Sequence, residues 1–149
     1  MDARQTFEEA ARAARRLTAV TAELDAIDET WRRGEWLGVG SSWCGHSDPT
    51  ATSASWRMGR AESLGTESAE LGRIVEEARA LVIGVGELLG AGYADALRYH
   101  YLENRPWAEV AALVGVSERT AYNRARVAFD TIDGLGGARV RQAQGMAEA

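Results

Sequence analysis

No lysine occurs in these 149 residues, so all 17 basic side chains are arginine, a usage that points to a GC-rich genome more than to a function. Cysteine occurs once, as Cys44, which excludes an intrachain disulfide and fits a reducing compartment. No apolar run is long enough to span a bilayer, and the opening MDARQTFEEA lacks the form of a signal peptide. A soluble, cytoplasmic protein without a membrane partner is expected. Catalytic pattern is missing too: no nucleophile stands beside a base at a usable spacing, and the glutamates follow helix faces as solvated charges do. Neither an enzyme nor a cofactor is expected.

What is present is helical periodicity. With 46% hydrophobic residues the chain can build a core for about one domain. Residues 1–33 read as a long helix with Leu17, Val20, Leu24, Ile27 and Trp31 at alternating steps of three and four, a coiled-coil-like seam. Residues 67–92 repeat the pattern with Leu71, Ile74, Ala78, Leu81, Val85 and Leu88. Neither stripe can bury itself alone. The two helices are expected to pair as an antiparallel hairpin, to pair with a second chain, or to pack on the C-terminal unit.

Between them, residues 34–66 are rich in Gly, Ser and Thr and read as a linker. Trp36, Trp43 and Trp56 are costly to leave in water, so part of this stretch should pack. A short helix over 53–65 would turn Met58 and Leu64 inward. The cluster Gly134-Leu135-Gly136-Gly137 should end the last helix and leave 134–149 as a flexible tail.

The most informative segment is WAEVAALVGVSERTAYNRARVAF, Trp107 to Phe129. Val110, Ala111 and Val114 recur at helical spacing, and Gly115 can take the left-handed conformation that ends a helix. Val116 fills the corner, and Ser117 is a good N-cap for a second helix. At about 100° per residue, Ala121, Ala125, Ala128 and Ile132 form one stripe with Phe129 at its border, while Arg119, Asn123, Arg126 and Asp130 lie opposite. That face suits a recognition helix in the DNA major groove, where arginine pairs with guanine and asparagine with adenine. Thr120 and Tyr122 flank it, placed for phosphate or a thymine methyl. An ordinary solvated helix face is the alternative.

Residues 93–132, with RYHYLENRPWAEVAALVGVSERTAYNRARVAF, resemble the region-4 helix-turn-helix of sigma-70-type factors, and more closely the phage late-transcription regulators of the ArpU and RinA kind. The resemblance implies a three-helix DNA-reading unit over 93–133, with Tyr93, Leu97 and Tyr101 in its first helix and Trp107 anchoring the second. It implies contact positions at Glu118, Arg119, Tyr122 and Asn123, and in sigma factors such a unit also touches RNA polymerase. Arg124 departs from the pattern by standing where an apolar residue is usual. Its stem packs while its charge escapes, or the helix is rotated. Arg124, Arg126 and Arg105 are expected to hold the phosphate backbone.

The resulting expectation is an all-α protein, a long helical pair followed by the helix-turn-helix, that binds double-stranded DNA and regulates transcription. A net charge of −5 is unusual for such a protein. Residues 61–92 carry −4 of it and residues 93–141 carry +1, so the acid is not on the DNA-reading unit. A near-neutral unit neutralises few phosphates, so a homodimer or docking on RNA polymerase is expected to supplement its affinity. A small terminase subunit, which also joins such a unit to oligomerising helices, is the alternative, with an accessory factor of RNA polymerase or a purely structural helical protein behind it.

Other features carry less. Cys44, His46 and Asp48 lie close in sequence, but zinc wants four ligands and His100 is far along the chain, so no metal site is expected. Gly84, Gly86 and Gly90 faintly suggest a nucleotide loop, but no strand accompanies them, and close helix packing or a local bend explains them better. His100 is expected at a surface or half-buried helix position.

Overall fold

The computed structural model describes residues 2–33 and 49–146, and these are all-α, with no strand among them. The helices are α1 (Ala3–Arg33), α2 (Pro49–Leu89), α3 (Ala91–Leu97), α4 (Trp107–Val114), α5 (Glu118–Leu135) and α6 (Gly137–Met146). A single π turn, Arg98–Leu102, continues α3. Two expectations change. Helix α2 begins at Pro49, so 49–66 is helix rather than linker. Residues Gly137–Met146 form α6, where a flexible tail is expected from the sequence. Trp36, Trp43 and the Cys44, His46, Asp48 group lie outside the described residues.

The chain divides into two compact units, one of Met1–Arg15 with Gly72–Ala149 and one of Arg16–Leu71. In the second, the two helical stretches run antiparallel. Arg16 pairs with Glu67 at 2.5 Å and Arg60 with Glu23 at 2.9 Å, so a step forward along α1 is a step back along α2. Val20 and Leu64, both fully buried, fall between those ion pairs in register. The pairs themselves are largely exposed and fix alignment more than they stabilise. Met58 and Trp56, expected to be covered, are 61% and 68% exposed, whereas Leu64 does turn inward.

The larger unit has a core drawn from every helix but α4. Ala3, Phe7, Ala10 and Ala11 of α1 meet Ala78, Leu81, Val82 and Val85 of α2, with Leu97, Tyr101, Ala125, Ala128, Phe129, Ile132 and Val140. The expected second stripe is therefore right through Val85, but Leu88 points outward at 44% exposure. Phe7 fills the gap between α1 and α5, edge-on to Tyr101 with ring centroids 5.8 Å apart and tilted on Phe129 at 5.6 Å. The N-terminus of α1 is tied down as well: the Ala3 N–H donates to the Asp133 carboxylate at 2.8 Å and the Arg4 N–H to Asp2 at 3.0 Å. Two carboxylates thus answer N–H groups that the first helical turn leaves free.

Gly84 accounts for the last helix. A Cβ built there would lie 2.0 Å from the Val140 carbonyl oxygen, so α6 rests directly on the α2 backbone, with Val140 fully buried. Close packing, not a nucleotide loop, is the use of this glycine.

Candidate nucleic-acid interface

The corner between α4 and α5 forms as its sequence dictates. Gly115 has φ 76° and ψ 34°, the left-handed region, and its N–H and that of Val116 both reach the Ala111 carbonyl, at 2.9 and 3.0 Å. Val116 and Val114 then cover a small second core of Ala96, Val110, Ala111 and Ala121. Alanine at 111 and 121 is what allows α4 and α5 to cross closely. Ser117 opens α5 in an extended conformation, its Oγ accepting the Thr120 N–H at 3.2 Å. Loss of that cap in Ser117→Ala is expected to cost about 1 kcal/mol. Thermal melts check it, and Ser117→Asp should retain the stability because its carboxylate accepts the same N–H.

Helix α5 buries Ala121, Ala125, Ala128, Phe129 and Ile132, the expected stripe with its border residue. Arg119, Asn123, Arg126 and Asp130 are exposed on the other side, as are Glu118, Thr120 and Tyr122. Among the described residues, Arg119, Asn123 and Arg126 make no ion pair or side-chain hydrogen bond. Five of the ten other arginines of this unit are paired with carboxylates. Arg4 pairs with Glu8, Arg73 with Glu77, Arg79 with Glu76, Arg98 with Asp95 and Arg105 with Glu103.

The remaining site residues divide. Thr120 belongs to the cap, its hydroxyl 2.9 Å from that of Ser117. Tyr122 stands edge-on to Trp107 at 5.7 Å and keeps 42% exposure, so its outer edge borders the polar face. Arg124 turns away from that face. Its guanidinium lies 5.7 Å from the Tyr93 ring centroid and against Gly92, where a Cβ would come within 2.5 Å of Nη1. The unusual arginine at this position thus has a local setting: the absent side chain at Gly92 leaves room for its guanidinium beside α3. Arg105 is likewise held by Glu103 and Glu109 rather than left for phosphate.

The π turn explains the aromatic cluster beneath α4. The Glu103 N–H reaches the Arg98 carbonyl at 3.0 Å, and three consecutive rings then meet three different neighbours. Tyr99 joins the small second core, His100 stacks on Trp107 at 3.9 Å, and Tyr101 enters the main core. Asn104 follows in the left-handed region at φ 55°, which asparagine tolerates. His100 Nδ1 is 2.8 Å from the Arg105 carbonyl. Burial pushes this imidazole below its ordinary pKa while that carbonyl pulls the other way, so the neutral ring donates Nδ1–H to Arg105 and latches the turn. It is half-buried, as expected, and engaged by both Trp107 and the Arg105 carbonyl.

The residues that periodicity did not reach are those of α1. The expected seam begins only at Leu17, whereas Ala3, Phe7, Ala10 and Ala11 pack in the core with Ala125, Ala128 and Phe129 of α5. Their three- and four-residue spacing was visible, but alanine is too weakly hydrophobic to stand out. Among the described residues, no helix is long and apolar enough to cross a membrane, and no group of three or more His, Cys, Asp or Glu is placed to hold a metal ion. The chain matches no family model, no curated protein and no solved structure.

Proposed function

We propose that this chain is a sequence-specific DNA-binding transcriptional regulator of the sigma-70 region 4 kind, encoded by a phage or prophage. Arg119 and Asn123 read base edges, and Arg126 holds the phosphate backbone. One observation carries the reading: the exposed outer face of α5, directly after a tight and capped corner, presents two unpaired guanidinium groups and an unpaired carboxamide together. The short α4 and the capped start of α5 are the two parts a major-groove reader requires. With a net charge of −5, a single copy binds weakly, and a second copy or RNA polymerase supplies the remaining affinity.

Selection of bound duplexes from a random pool tests the reading. Asn123→Ala should relax the preference at one base pair by about 1–3 kcal/mol, while Arg126→Ala should weaken all duplexes alike and flatten the salt dependence. Equal loss on every sequence for Asn123→Ala removes its base-reading role. A pool that returns no preferred sequence removes the regulator reading itself.

A further inference from the structure

A second cationic surface lies in the same unit, in the groove between residues 4–15 of α1 and the turn from His100 to Trp107. Arg4, Arg12, Arg15 and Arg105 line it against a single lining carboxylate, Glu8. This concentration of positive charge occurs in a chain whose net charge is −5. Arg4 is answered by Glu8, and Arg105 by Glu103 and Glu109. Arg12 and Arg15 have no carboxylate partner among the described residues, and both are exposed. Arg15 is nonetheless positioned, since its Nη1 donates to Asn104 Oδ1 at 2.8 Å. That bond fixes the guanidinium without cancelling its charge.

The groove is bordered by Tyr122, which also flanks the polar face of α5, so the two surfaces adjoin. The rings on its floor are not free to stack with bases. His100 and Trp107 already stack on each other, and Tyr122 meets the edge of Trp107. Charge without open ring faces selects phosphate rather than base.

We infer that Arg12 and Arg15 of α1 form a backbone clamp, taking phosphodiester oxygens of duplex DNA outside the base pairs that α5 reads. This deepens the proposed DNA-binding function and rests on it. The clamp adds contacts that carry no sequence information, and it does so from a helix outside the helix-turn-helix.

The test compares full-length wild type with Arg12→Ala/Arg15→Ala on the duplex recovered from the random pool, once as the selected site alone and once extended on both sides. Arg57→Ala/Arg139→Ala, which removes the same charge elsewhere, is the control. Two lost phosphate contacts should reduce the log–log salt slope on the extended duplex by about 1.8. Between about 50 and 200 mM salt, wild type should therefore lose roughly twelvefold more affinity than the clamp variant. The selected sequence should not change, and Arg12→Lys/Arg15→Lys should restore the slope. Should the double variant melt early, Arg12→Ala alone, which breaks no bond, should still lower the slope by about 0.9. A clamp variant indistinguishable from the control overturns the inference, and where Asn123→Ala still relaxes specificity, it does so without touching the base-reading role. A wild-type chain that binds no duplex overturns both.

Discussion

Phe7→Ala is expected to be the most damaging truncation in the larger unit, lowering stability by about 3–5 kcal/mol. Phe7 is fully buried and touches Tyr101 and Phe129, so its removal leaves a void between α1 and α5 that neither helix can close without moving. Alanine at 3, 10 and 11 has no atoms to spare for filling it. For a chain of this length the loss corresponds to a fall in Tm of roughly 6–20 °C. Phe7→Leu keeps most of the volume and should cost less than about 2 kcal/mol. Calorimetry of the two variants decides it: an alanine variant that melts with the wild type would mean that α1 is not held by this ring.

Gly84→Ala should show the second large effect, and with the opposite sign from the usual rule. Replacing glycine by alanine inside a helix ordinarily stabilises by about 1 kcal/mol. Gly72, also inside α2 and with nothing within 4 Å of an added Cβ, should follow that rule. At Gly84 the same Cβ would stand 2.0 Å from the Val140 oxygen and 2.8 Å from Val140 Cγ1. Both belong to Val140, which is fully buried, and the nearest atom is backbone, which cannot rotate away. The clash forces α6 off α2, and a net loss of about 1–3 kcal/mol is expected. Urea melts of the pair make the comparison, since both variants add the same methyl group to the same helix. Equal stability would show that α6 shifts freely and that Val140 contributes little.

These two sites also mark where sequence reasoning stops. The corner from Ala111 to Thr120 was legible because it is local: a left-handed glycine and a capping serine act within a few residues of themselves. The stripe on α5 was legible for the same reason, its alanines and Ile132 repeating at helical spacing. The docking of α1 was not, because its partners, from Ala78 to Asp133, lie far along the chain and its apolar face is mostly alanine. Residues 49–66 misled through composition. Ser, Thr and Gly suggest a linker, yet the helix is held by tertiary devices, the Arg60–Glu23 and Arg16–Glu67 pairs and buried Leu64. In the candidate site, the polar face was visible from periodicity, but the fate of Arg124 depended on which residue α3 would place beneath it. A glycine at position 92 carries no signal of that kind until the helices are assembled.

The bond from the Ala3 N–H to Asp133 joins residues 130 apart in the chain, and the core around it joins the first turns of α1 to the middle of α5. Contacts of such range make folding slow, since almost the whole chain is a loop to be closed before they form. They also set an order of events on the ribosome. The first helix emerges early with Phe7 uncovered and waits until α5 has been translated, so a nascent product that stops short of α5 leaves that ring without its cover.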